Sequence, residues 1–317
     1  MSCRRPMRLA VLTLFLLGLA AAQAAAWGPA VHVYVADHSG KWWPSLNRTE
    51  MCGAILPDMC YFVPPGDEAE DDGPINFPEA CATVIHDDYY TAMWDEAFNL
   101  KTRALGYGYE SHHEADKPAH EAGVLIGRDE GYVIQKARIF SITLAASLEI
   151  ALGYPPGSVP PETVEPLAHN MVEVGTDVLV KRVDPYIGNK LTLAALLRGP
   201  FVPQQLVAVY TGDLAVEAGL SPEEAAAGLA QVEGHFRVAM VTYGLALMKP
   251  EGEAIDLLAQ LLAPLAPPLD VPDEALIPLI REALIGAMAL CERDFPYELH
   301  ATTAAVRWRL WLDGVWY

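Results

Sequence analysis

Helical periodicity runs through most of this chain, and strand alternation through very little of it. Apolar residues recurring every three to four positions bury their stripe by packing helix on helix, so the pattern predicts an all-α fold. The run from Ile139 to Leu152 is mostly Ala, Leu and Ile. Ser221-Pro222-Glu223-Glu224 is a helix start: Ser221 can cap, Pro222 suits the first helical position and Glu224 completes a capping box. That helix is expected to reach about Met248, where Lys249-Pro250 ends it. Another is expected from Pro272-Asp273-Glu274 to about Cys291, and a last one from Ala301 to Leu312. Proline-rich connectors fall at residues 155–166 and 264–272, and residues 60–80 read as an irregular loop whose acidic run from Asp67 to Asp72 is a solvated stretch rather than the alternative, a calcium site. Trp308, Trp311 and Trp316 could touch a membrane surface, but the three-residue spacing of Trp308 and Trp311 reads rather as core packing.

The first 26 residues have the order of a secretory signal peptide. Arg4, Arg5 and Arg8 precede an apolar run from Leu9 to Ala22, and small residues at Ala24 and Ala26 suit cleavage before Trp27. The apolar run is short for a span, which needs roughly 20 residues. The expected product is an exported protein, periplasmic or secreted, with residues 27–317 as a single helical domain. The motifs lie in residues 27–180, and residues 181–317 form a helical extension. Removing three arginines takes the formal net charge from −20 to −23. So acidic a surface repels polyanions at long range, which counts against nucleic acid as a partner. No GxGxxG, phosphate-binding lysine loop, internal repeat or basic stripe is present.

Cys52, Cys60, Cys81 and Cys291 remain after the leader, an even number that permits disulfides in an exported chain. Their spacing is wrong for a thiolate metal site, and three pairings stay open.

The chemistry-bearing residues are histidines and carboxylates. In Ser111-His112-His113-Glu114-Ala115-Asp116-Lys117-Pro118-Ala119-His120, His112 and Asp116 are four apart and share a helical face. Pro118 is expected to break that helix and swing His120 toward a neighbouring ion. His169 and Glu173 repeat the four-residue pairing, a nitrogen and oxygen donor set that suits zinc. Asp177, one turn further, is a candidate to orient either of them. Asp58 follows a proline, His86 precedes Asp87, and Trp27 stands five residues ahead of His32. Cleavage before Trp27 would free an amine able to chelate a metal together with its own carbonyl. Each pair is common by chance; the joint order carries the argument. Ser141 and Glu149 are a poorer alternative to the last pair. His38, His113, His235 and His300 read as structural or surface residues.

That order resembles the zinc-dependent phospholipase C family, which shares its fold with the zinc-dependent single-strand nucleases of fungal type. The family's sequence of Trp, His, Asp, His, His-x-x-x-Asp, His and His-x-x-x-Glu falls here on Trp27, His32, Asp58, His86, His112, Asp116, His120, His169 and Glu173. The segment from Asp116 to His120 is two residues shorter than in the best-known members. The segment from His120 to His169 is longer, with room for an extra helix. The resemblance implies a multi-helix domain with up to three zinc ions between helices. Trp27, His32 and Asp116 would hold one ion. His86, His112 and Asp116 would hold a second, with Asp116 bridging, and His120, His169 and Glu173 a third. It implies Asp58 as general base and attack on a phosphate ester by zinc-activated water. The expected substrate is a phospholipid at a membrane surface. The alternatives are single-strand nucleic acid, with Tyr89, Tyr90, Tyr107 or Tyr109 as stacking platforms, and a non-catalytic, zinc-stabilised lipid-binding protein.

Overall fold

The helices form where the apolar periodicity and the caps place them, and no strand occurs among the described residues. A computed structural model describes residues 27–41, 43–62, 77–88, 90–121, 130–263 and 273–317. The expected signal segment 1–26, the acidic run 67–72, Tyr89 and the connector 264–272 lie outside them. In chain order the described helices are α1 (Pro29–Ser39), α2 (Pro44–Gly53), α3 (Phe77–Ala82), α4 (Ala92–Asp95), α5 (Leu100–His120), α6 (Tyr132–Leu152) and α7 (Pro161–Val183). There follow α8 (Ile187–Leu196), α9 (Phe201–Glu217), α10 (Pro222–Leu247), α11 (Glu251–Leu262), α12 (Asp273–Cys291) and α13 (Phe295–Leu312). A 3₁₀ segment, Leu56–Phe62, follows α2, and a π-helical segment, Thr83–Asp88, follows α3. No described helix is long and apolar enough to cross a membrane.

Local signals explain several boundaries. Ser221 accepts from the Glu224 amide while Glu224 reaches back to Ser221, so α10 begins at the expected capping box. Asn99 and Thr102 cap α5 in the same reciprocal way. The extra helix between His120 and His169 is α6. The last helix starts at Phe295, a turn and a half before Ala301, because Pro296 sits in its first turn, where a missing amide costs nothing. Pro118 does not break α5. It lies in the final turn, only two residues before the end, and α5 runs on to His120.

α7 packs between α6 and α12, and α8 packs along α10. α1 touches α2, α5, α7, α8 and α13, and so sits at the crossing of the motif-bearing helices and the C-terminal ones. One contiguous apolar core extends from Trp27 to Val315, with residues on both sides of position 180 contributing to it. α2 and α5 meet through glycine. A Cβ on Gly53 would lie 2.2 Å from the Leu105 carbonyl, and one on Gly108 2.1 Å from the Glu50 carbonyl. Only glycine lets the two backbones approach this closely.

Cys60 and Cys81 form a disulfide, and Cys52 and Cys291 are buried thiols. The bridge joins the 3₁₀ segment to α3 across residues 63–76. Trp308 and Trp311 are not in the core, contrary to their helical spacing: they are 59% and 61% exposed and stack on each other with ring centroids 5.2 Å apart. α13 turns Phe295, Leu299, Val306 and Leu310 inward instead, which leaves the tryptophan stripe on the opposite side.

Candidate metal centre

Five elements deliver the predicted side-chain donors. His32 comes from α1, Asp58 from the 3₁₀ segment, and His86 from the π segment. His112, Asp116 and His120 come from α5, and His169 and Glu173 from α7. A π turn widens the helical path, and such turns recur at functional sites. Because α5 is unbroken, His112, Asp116 and His120 form one stripe, with His120 about 12 Å beyond His112 along the axis. Axial distance along an intact helix, rather than a proline kink, separates His120 from the first group.

Around Asp116 the donors converge. Asp116 Oδ1 lies 3.3 Å from His32 Nε2, and Oδ2 lies 3.2 Å from His112 Nε2 and 3.4 Å from His86 Nε2. One carboxylate thus faces three imidazoles through two different oxygens, which is a bridging geometry. Asp58 Oδ1 lies 3.6 Å from His112 Nε2 and 3.8 Å from His86 Nε2. Asp58 therefore stands within the donor group. Two overlapping sets result, His32 with His112 and Asp116, and Asp58 with His86 and His112. His120, His169 and Glu173 form a third. There, His169 Nε2 lies 2.7 Å from Glu173 Oε1 and 3.2 Å from His120 Nε2.

The orientation of each ring is fixed from behind. His112 Nδ1 donates to the Ala54 carbonyl at 2.8 Å, so Nε2 carries the lone pair that faces Asp116. The glycine-mediated approach of α2 to α5 brings Ala54 within reach. His86 Nδ1 pairs with Asp87 Oδ1 at 2.7 Å, the usual arrangement behind a ligating imidazole. His32 stacks on His112 with centroids 3.9 Å apart. The Trp27 indole donates to the Ala115 carbonyl at 3.0 Å and lies against Tyr132 and Phe295, which anchors the Trp27 residue beside Asp116. The side chains of His38, His113, His235 and His300 join none of the three groups.

The electrostatics suit a cation. Burial raises the Asp58 carboxyl to about 6, against the pull of His112 and His86. Burial also raises Glu173, with His169 opposing it. For Asp116 burial works upward too, yet His112 and His32 together hold it well below the usual carboxylate range. Burial lowers His120 to about 4, so its imidazole is neutral and free to ligate at neutral pH. Burial would lower His86 as well, but Asp116 and Asp87 outweigh it and lift it to about 10. Three buried carboxylates call for positive charge. The inward atoms His32 Nε2, His86 Nε2, His112 Nε2 and both oxygens of Asp58 and Asp116 are buried with no hydrogen-bond partner. Buried polar atoms of this kind are costly unless paired. A divalent cation satisfies nitrogen lone pairs and carboxylate oxygens together, so the donor set fits one.

Asp177 does something other than orient His169 or Glu173. Its Oδ1 accepts from the Val31 amide at 2.9 Å, at the first turn of α1. Gly28, the α1 N-cap residue, offers no side chain, and a Cβ there would meet Asp177 Oδ2 at 2.4 Å. Asp177 caps α1 from another helix. Sequence reasoning had no signal for this, nor for the Ala54 carbonyl, since both depend on which helices cross. Of the tyrosines considered as base platforms, Tyr107 is 8% exposed and Tyr109 fully buried, so neither presents a ring face. Tyr90 stacks on His113 at 3.5 Å.

No family model, curated protein or solved structure matches this chain.

Proposed function

We propose that this protein is an exported, zinc-dependent phosphoric ester hydrolase of phospholipase C type, with that family's multi-helix fold. The observation that carries the reading is the convergence of Asp58, His86, His112, Asp116 and His32, from four separate elements, on shared points where their inward atoms have no protein partner. His120, His169 and Glu173 add a third position. The donors are imidazole and carboxylate, the set that favours zinc over magnesium or calcium. A free Trp27 amine would add a ligand beside His32 and Asp116.

Bound zinc would neutralise the phosphate's charge and make water acidic enough to attack near neutral pH. Asp116, its two oxygens turned to different histidines, would be the ligand shared between the first two positions. Ala54 and Asp87 hold the Nδ1 sides of His112 and His86, so that each would offer Nε2 to an ion. Asp58 turns Oδ1 toward His86 and His112, and its Oδ2 would take the proton from the attacking water. Its carboxyl, raised to about 6, lies in the range that suits a general base near neutral pH. The choice of phospholipid over single-strand nucleic acid rests on the net charge of −20 and on the burial of Tyr107 and Tyr109.

The test is turnover by the chain beginning at Trp27, on phosphatidylcholine vesicles and on single-stranded DNA, with and without chelator. Chelator-sensitive release of phosphocholine is the expected result. Chelator-sensitive cutting of DNA would keep the metal centre and overturn the substrate. A folded protein that takes up no zinc would overturn both.

A further inference from the structure

The outer face of α13 has no partner among the described residues. Trp308, Trp311 and Leu312 lie three and four residues apart on one side of it and are 59%, 61% and 57% exposed. Trp316, just past the helix, is 66% exposed. Four large apolar groups on one short stretch are more than the scattered exposure normal for a soluble surface. Three are tryptophan, the side chain that settles at a membrane–water interface because its ring is apolar and its N–H polar.

The charge beside this stripe is mixed rather than acidic, with the cations Arg307 and Lys41 standing against Glu50 and Asp313. Trp311 and Trp316 line a cleft together with Lys41, Arg307, Tyr107 and Tyr317. Lys41 Nζ sits 5.1 Å over the Tyr317 ring. Arg309, the other cation of this stretch, turns away to pair with Glu114 on α5, while Arg307 stays exposed and pairs with no described carboxylate. Glu50, at the floor of the cleft, is engaged by the Lys41 amide at 2.9 and 3.0 Å and by the Tyr317 hydroxyl. Asp313 is the one acidic side chain between Arg307 and Tyr317. On a protein with 41 acidic and 21 basic residues, such a spot is set apart.

We infer that the Trp308–Trp311–Leu312–Trp316 face docks on a phospholipid bilayer, with Arg307 and Lys41 meeting anionic head groups. Tryptophan rings entering the head-group region gain apolar burial, and nearby cations add attraction to an anionic surface. A second copy of the chain fits less well. A two-fold contact through this patch sets the same surface against itself and brings Arg307 and Lys41 toward their own images. The docking face extends the phospholipase reading and rests on it for its purpose, since it would hold the enzyme on its substrate; binding itself needs no catalysis.

The test is co-sedimentation of the zinc-loaded mature chain with phosphatidylcholine vesicles, with and without one-third phosphatidylglycerol. The unaltered chain should bind both, and the anionic vesicles more tightly. Trp308→Ala/Trp311→Ala/Trp316→Ala should weaken binding about tenfold or more. It should leave melting temperature, zinc content and turnover of a water-soluble short-chain phospholipid unchanged. Arg307→Gln/Lys41→Gln should remove the preference for anionic vesicles. Should the triple variant melt early, brominated acyl chains give a readout on the unaltered chain, whose tryptophan emission they should quench. No vesicle binding, undiminished binding by a folded triple variant, or unquenched emission would overturn the docking face. So would a dimer that the triple substitution dissociates with no effect on vesicle binding. Vesicle binding with no turnover of any phospholipid would leave docking intact and overturn the phospholipase reading.

Discussion

Replacing Asp177 tests whether α7 holds the first turn of α1 in place. The Asp177 side chain is fully buried, and it supplies the cap that Gly28 lacks. Asp177→Ala removes that cap and leaves the Val31 amide only its 3.1 Å bond to the Gly28 carbonyl. Loss of a cap costs about 0.5–2 kcal/mol. A net loss of about 1–2 kcal/mol should lower the melting temperature by roughly 2–3 °C in a domain of this size. Asp177→Asn keeps a carbonyl oxygen for Val31 and should lose less than half as much. The functional consequence is local. α1 carries Trp27 just ahead of it and His32 within it, so a loosened first turn should weaken zinc at the His32–His112–Asp116 group. The His120–His169–Glu173 group should hold its ion, although Glu173 is one turn from Asp177 on the same helix. Calorimetric unfolding with and without zinc, together with double-mutant cycles, reads both. Asp177→Ala should be non-additive with His32→Ala in zinc affinity and additive with His169→Ala. The reasoning is refuted if Asp177→Ala melts with the parent, or if its coupling is to His169 and not to His32.

Four further outcomes are expected. Asp58→Asn should retain most of the bound zinc and lose about 10²–10⁴-fold in turnover; an unchanged rate measured on phosphatidylcholine would remove Asp58 from the reaction. Zinc at a hundred times its dissociation constant should stabilise the fold by about 2.7 kcal/mol per linked site, so chelation should lower the thermal midpoint; a midpoint indifferent to chelator argues against a bound ion. Cys60→Ser/Cys81→Ser, which opens a loop of 21 residues, should cost about 3 kcal/mol in denaturant titrations under non-reducing conditions; equal midpoints would count against the bridge. Burial pushes the Glu50 carboxyl up from 4.5 to about 7, with the Tyr317 hydroxyl and Lys41 amide opposing it. Folding therefore takes up a proton between those values, and Glu50 contributes less stability as pH rises through that window. Glu50→Gln should accordingly gain on the parent between pH 5 and 8 in thermal melts, and a constant difference would refute the assignment.

Much of the local structure could be read directly from the residues. Ser221, Pro222 and Glu224 mark the start of α10, and the four-residue spacings of His112 with Asp116 and of His169 with Glu173 place each pair on one helical face. These features depend on 3.6-residue periodicity and on caps, which act within a turn or two. Pro118 shows the limit even there, because its effect turned on how close it lay to the end of α5.

What only the tertiary structure decided was partnership. The sequence left three disulfide pairings open, and Cys60 with Cys81 emerged once the 3₁₀ segment and α3 came together. The spacing of Trp308 and Trp311 says that they share a side of α13, but whether that side meets the core depends on how α13 lies on α1 and α5. The placement of Asp58 among the donors and the capping of α1 by Asp177 likewise join residues far apart in the chain. A helix sets the direction of its own side chains over a few ångströms. Which directions converge is set by crossing angles and close backbone approaches, such as Gly53 on Gly108, and those arise only when the whole core packs.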